Sequence, residues 1–148
     1  MTSEMRPPAR IAYALLHASA TGIILTGLVY GVMRYLLEPM DAFSIIHHPL
    51  EPLFHKLHVL IAPAATLTLG AFWIWHAWPY FQDKEESGRI TGITILVTAL
   101  PMVFSAYFLQ TATDTSWRQG WIILHVTSSI VWTAALIFHI VMHIRNKA

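Results

Sequence analysis

The sequence predicts an all-α integral membrane four-helix bundle, and three observations predict it. Four long apolar runs lie at about 12–33, 57–80, 90–110 and 120–143, each long enough to cross a hydrocarbon core of ~30 Å. The chain is 55% hydrophobic and only 11% charged, and His76, His125 and His139 are nearly the only ionisable groups well inside the runs. A soluble bundle would show polar outer faces at helical period, and these runs show none. The expected organisation is a single domain over 1–148, with no nucleic-acid partner and with membrane lipid as its surroundings.

The elements follow in order. Arg6 and Arg10 precede the first run, which is too long for a cleaved leader and lacks a convincing small-residue cleavage site, so it is expected to stay as a span. Tyr30 and Tyr35 close it; Trp73, Trp75, Trp78 and Tyr80 close the second run; Trp117 and Trp121 open the fourth. Such aromatic belts sit at headgroup level. Trp132, mid-span, reads equally well as bundle filling. Pro63 and Pro101 are expected to be tolerated inside the second and third helices. Arg6, Arg10, Lys84, Arg89, Arg145 and Lys147 fall on one side of a four-pass topology, and Arg34, Lys56 and Arg118 on the other. The positive-inside rule then makes both termini cytoplasmic.

The most informative residues are two histidines of the last run. His125 and His139 stand fourteen positions apart, which is ~21 Å of helix rise and within ~40° of one face. Intramembrane ionisable groups are costly and default to a functional reading. Cysteine is absent, which removes disulfides, iron–sulfur clusters and thioether-attached haem from this chain. By depth, His17 shares the cytoplasmic level with His139, and His58 shares the outer level with His125. A low-spin b-type haem takes two axial imidazoles from facing helices at one depth, so two such sites are expected. A competing scheme pairs by face: His58 with His76 and His125 with His143 are each eighteen positions apart. It would push both sites to the bilayer edges and leave His17 idle. The pairing His17 with His139 and His58 with His125 is preferred.

The first run, RIAYALLHASATGIILTGL, resembles the opening helix of the diheme membrane cytochrome b subunits of formate dehydrogenases and nickel–iron hydrogenases. There an Arg precedes a ligand His and a Thr-Gly or Ser-Gly pair follows mid-helix; the matching positions are Arg10, His17, Thr26 and Gly27. The fourth run, LHVTSSIVWTAALIFHIVMH, resembles that family's last ligand helix, with one His for each haem. The aromatic that often follows the first ligand is Ala18 here. The resemblance implies an electron relay in the bacterial cytoplasmic membrane. In it a partner on the outer face, an iron–sulfur or c-type cytochrome subunit, exchanges electrons with the outer haem at His58 and His125, and quinone or quinol reacts beside the inner haem at His17 and His139.

Other residues carry weaker expectations. Gly27 and Gly31 lie ~80° and ~40° from the His17 face, where a flat macrocycle could approach the backbone, and Gly22 and Ala18 extend that surface. Ordinary small-residue helix packing explains any one of them equally well. His76, His143 and Arg89 are candidates for contact with haem propionates or quinone, the histidines because they titrate near neutrality. His47, His48 and His55 crowd the first loop without carboxylate or cysteine support and read as solvated rather than metal-binding. The segment from Asp83 to Arg89 reads as a solvated turn bordering the quinone site. Two other function classes remain: a stand-alone haem b enzyme passing electrons between quinone and a small reactant such as superoxide, and a haem-free metal or proton transporter.

Overall fold

A computed structural model describes residues 7–82 and 89–145. Arg6, Lys84 and Lys147, used above for orientation, and the acidic stretch over 83–88 lie outside the described residues. The chain is all-α: α1 (Pro7–Tyr35), α2 (Glu51–Phe72), a π-helical turn (Trp73–Ala77), the short α3 (Trp78–Gln82), α4 (Arg89–Thr111) and α5 (Thr115–Arg145). Among the described residues, four stretches are long and apolar enough to cross a membrane: Ile11–Tyr35, Glu51–Ala77, Arg89–Thr111 and Thr115–Arg145. The helices outrun the apolar runs by several residues, since a helix continues into the headgroup region as long as its backbone bonds do.

Two compact units divide the chain, residues 1–76 and 77–148. The first is built on α1 packed against α2, the second on α4 packed against α5. Each is a helix hairpin, joined at its loop end by 36–50 and by 112–114 respectively.

Local chemistry explains the helix starts. Pro52 stands at the beginning of α2, where a missing N–H costs nothing, and Glu51 complements the positive end of the helix dipole. At α5, the Asp114 carboxylate accepts the backbone N–H of Trp117 at 2.9 Å, an N-cap that satisfies one orphan donor. Pro63 and Pro101 sit inside continuous α2 and α4.

The π-helical turn was not expected from the apolar pattern. Pro79 follows it by two residues, and in an α-helix its ring would press on the carbonyl of Trp75 while offering it no donor. A widened turn just before such a proline absorbs both conflicts, and such turns recur at functional sites. His76 sits in this one.

Little of the chain is core. Among the described residues the buried hydrophobics are Ala20, Ile95, Ala99 and Trp132, whereas Leu60, Leu67, Val97, Leu100, Phe104, Ile130 and Phe138 are exposed along the helices. Small residues inside and large aliphatic ones outside is the inverse of a soluble bundle, and it suits helices whose outer faces meet lipid. The aromatic boundary of α5 is ordered by stacking: Trp121 lies flat on Phe108 of α4 with ring centres 4.4 Å apart, and Trp117 follows at 6.3 Å.

Candidate functional site

In the first unit, His58 projects from α2 onto α1. Its Nδ1–H donates to the backbone carbonyl of Ile23 at 3.1 Å, with the hydroxyl of Thr26 at 3.3 Å from the same nitrogen. Thr26 is buried and its own O–H donates back to Gly22 at 2.7 Å, so its oxygen is turned to accept from the ring. Gly27 completes the seat. A Cβ at that position would lie 2.7 Å from Cε1 of His58, a distance that only displacement of the imidazole could relieve.

The second unit repeats this arrangement. Nδ1–H of His125, on α5, donates to the carbonyl of Met102 on α4 at 3.0 Å, with the hydroxyl of Ser105 at 3.3 Å. Ser105 is fully buried and its O–H donates to Met102. In each unit a helical carbonyl and a hydroxyl three residues later receive a histidine from the next helix; in sequence a small residue follows each hydroxyl, Gly27 and Ala106. Because the acceptor is a carbonyl, the ring proton sits on Nδ1 and the Nε2 lone pair lies on the opposite edge. Metal-ligating histidines are usually held this way, by a hydrogen bond from the nitrogen that does not bind the metal.

At the other end the two units differ. His139, on α5, meets the hydroxyl of Thr91 at 2.7 Å through Nδ1, close to Gly92 of the same helix. In the first unit the residue paired with a hydroxyl is His76, whose Nδ1 lies 3.3 Å from the Tyr13 phenol. Phe72 packs on both, 4.5 Å from the His76 ring and edge-on to Tyr13 at 5.0 Å. His17 is exposed on α1. It stands ~120° round the helix from Ile23 and ~40° from Tyr13. His143 and Arg89 are exposed.

His125, Trp132 and His139 are spaced by seven residues each, so the three drift only ~20° per step along one stripe of α5. Trp132 is 6% exposed, and its indole N–H has no hydrogen-bond partner among the described residues. An unmet buried donor costs about 1–3 kcal/mol.

These features fit haem. The donor set is imidazole with no thiol, two rings are orientated by carbonyls, a glycine clears space for one of them, and a buried donor lies between the two α5 histidines. Among the described residues, no three His, Asp or Glu converge as a site for a bare metal ion. His47 and His48 lie in the loop and are used locally: His47 Nδ1–H donates to the carbonyl of Leu37 at 2.8 Å, and His48 Nδ1 accepts from the N–H of Leu50 at 3.1 Å. His55, expected in the loop, lies in the first turns of α2 with its ring tilted against Tyr30 at 5.0 Å. Of the glycines near His17 in sequence, Gly27 serves His58, Gly22 makes ordinary contact with Ile61, and Gly31 has open space where a side chain would stand.

Sequence reasoning singled out the histidines but missed their partners. Ser105, Met102, Thr91 and Tyr13 were legible only as helix residues, although Ser-Ala at 105–106 echoes Thr-Gly at 26–27. Comparison with protein-family models, curated proteins and solved structures gives no match.

Proposed function

We propose that this chain is a diheme b-type membrane cytochrome that relays electrons between the quinone pool and a redox partner on the opposite face. The observation that carries the reading is the duplicated seat in which His58 and His125 each donate Nδ1–H to a carbonyl of the preceding helix. An imidazole fixed in that tautomer presents Nε2 to a metal and gains basicity from the bond it makes. Nothing in simple helix packing requires the same carbonyl-and-hydroxyl seat twice.

His58 with His125 would hold one haem and His17 with His139 the other. Haem bound by these residues would supply one-electron exchange at each level. The residues of the chain supply ligand orientation, a dry surround and proton handling. Thr26 and Ser105 fix two rings from the hydroxyl side, Thr91 fixes a third, and the apolar helix exteriors keep water from the level of Trp132.

Quinone chemistry needs a group that exchanges protons near neutrality, which histidine does. His76 suits that role: it lies in the widened turn beside Tyr13, and Tyr13 precedes His17 by one helical turn on nearly the same face. With the proton on Nδ1 donated to the phenol oxygen, Nε2 takes a proton from quinol; the reverse delivers one to quinone. The outer partner, an iron–sulfur or c-type cytochrome subunit, and a bacterial cytoplasmic membrane location belong to the same proposal through the family resemblance. A reduced-minus-oxidised spectrum with haem quantification on purified protein tests it. Two low-spin haems b per chain are expected; a folded protein that carries one or none refutes the reading.

A further inference from the structure

The connection between α1 and α2 combines features that rarely meet in an aqueous loop. Its large apolar side chains are displayed: Phe43 is 96% exposed, Ile45 79% and Leu36 75%, with Met40 and Leu50 exposed beside them and the acids Glu38 and Asp41 exposed among them. Its backbone, in contrast, is tied down. The guanidinium of Arg34, in the last turn of α1, donates to the carbonyl of Ile45 at 2.7 Å and pairs with the carboxylate of Glu51, in the first turn of α2, at 3.3 Å. The other oxygen of Glu51 accepts the N–H of His47 at 2.8 Å, and the His47 ring donates to the carbonyl of Leu37.

At the tip, the N–H of Phe43 donates to the Asp41 carboxylate at 2.8 Å, that of Ser44 to the Asp41 carbonyl, and that of Ile46 to the Ser44 hydroxyl. The Ser44 hydroxyl in turn donates to the carbonyl of Ile46. Non-helical backbone enters a low-dielectric region only when its polar groups are met from within, and this loop meets many of its own.

We propose that the loop over 36–50 is a membrane-interface anchor, with Leu36, Phe43 and Ile45 seated among lipid headgroups and the upper acyl chains. Position and continuity select lipid as the occupant. The loop leaves Tyr35 and returns at Glu51, the two ends of helices of membrane-spanning length. Its apolar surface runs on into Val32, Leu53 and Leu60, exposed on those same helices. Burying the Glu51 carboxylate under a part-exposed Arg34 at the base while turning large apolar side chains outward is the reverse of what water favours and matches an amphipathic element lying at the acyl boundary. The proposal stands independently of any bound cofactor.

The chain has no cysteine, so single-cysteine labelling needs no background removal. Phe43→Cys, carrying an environment-sensitive NBD dye, would be reconstituted in phosphatidylcholine liposomes with no other protein present. A blue-shifted emission, loss of most of the signal to lipids spin-labelled high on the acyl chain, and protection from aqueous iodide are expected, and Ile45→Cys should report the same depth. Iodide quenching equal to that of the free dye, with no effect of the spin-labelled lipid, would overturn the proposal. That outcome would return the patch to a protein partner.

Discussion

The two helix pairs are alike at their loop ends and unlike at their open ends. At the loop end, Ile23, Thr26 and His58 in one unit match Met102, Ser105 and His125 in the other, atom type for atom type. At the open end, one unit sets His139 against Thr91, while the other sets His76, in a π-helical turn, against Tyr13 and leaves His17 exposed. On the proposed reading, the difference teaches a division of labour: a ligand would need only to be held, which the same seat does in both units, whereas a site that also exchanges protons and admits a substrate would need groups a plain ligand seat lacks.

The largest effect expected is loss of cofactor. His58→Ala and His125→Ala should each remove one haem of two, and the same one by spectrum, while His17→Ala and His139→Ala remove the other. Haem quantification with low-temperature spectra reads this directly. His76→Ala and His143→Ala should keep both haems. Loss of a haem in those two, with His17→Ala intact, would replace the depth pairing by the eighteen-residue one.

Next comes the glycine that makes the first seat. Gly27→Ala places a methyl 2.7 Å from the His58 ring, whereas Gly92→Ala places one 4.0 Å from His139, at ordinary contact distance. The first should displace the imidazole and cost about 1–3 kcal/mol of stability together with part of the loop-end haem, as overpacking does. The second should be close to neutral. Thermal unfolding followed at the haem Soret band separates them, and equal tolerance would show that the seat is not tight.

The open end is sharpened by kinetics. His76→Gln keeps a polar side chain in the π-helical turn but cannot accept a proton at neutral pH. It should slow reduction of the haems by decylubiquinol on the order of 10²-fold, the usual contribution of a positioned acid or base. Dithionite reduction and haem content should be unchanged. An unaltered quinol rate would place proton exchange elsewhere.

The smallest effect belongs to the hydroxyls. Thr26→Val and Ser105→Ala each remove one acceptor from a ring N–H that keeps its carbonyl. With less charge donated to the imidazole, the loop-end haem should shift upward in potential by about 20–40 mV, the equivalent of roughly 0.5–1 kcal/mol for one electron. The two variants should shift the same haem. Redox titration that finds Thr26→Val and Ser105→Ala acting on different haems would break the pairing of His58 with His125.

Sequence alone determined the spans, because four apolar runs with almost no interior charge have few other folded solutions in water or lipid. It also determined the stripe of His125 and His139, since helical period follows from residue spacing without any knowledge of neighbours. Trp132 between them was visible, though as filling. What only the tertiary structure decided is every partner that comes from another helix or across a loop. The carbonyl of Ile23 is an ordinary helix carbonyl until α2 brings His58 to it, and Gly27 is one small residue among several until that ring lies against it. The clamp of Arg34 on Glu51 spans seventeen positions. Apolar periodicity records which face of a helix avoids water. It carries no record of which hydroxyl or carbonyl a given face will meet, because that is set by helix register and side-chain fit, and those arise only when the helices pack.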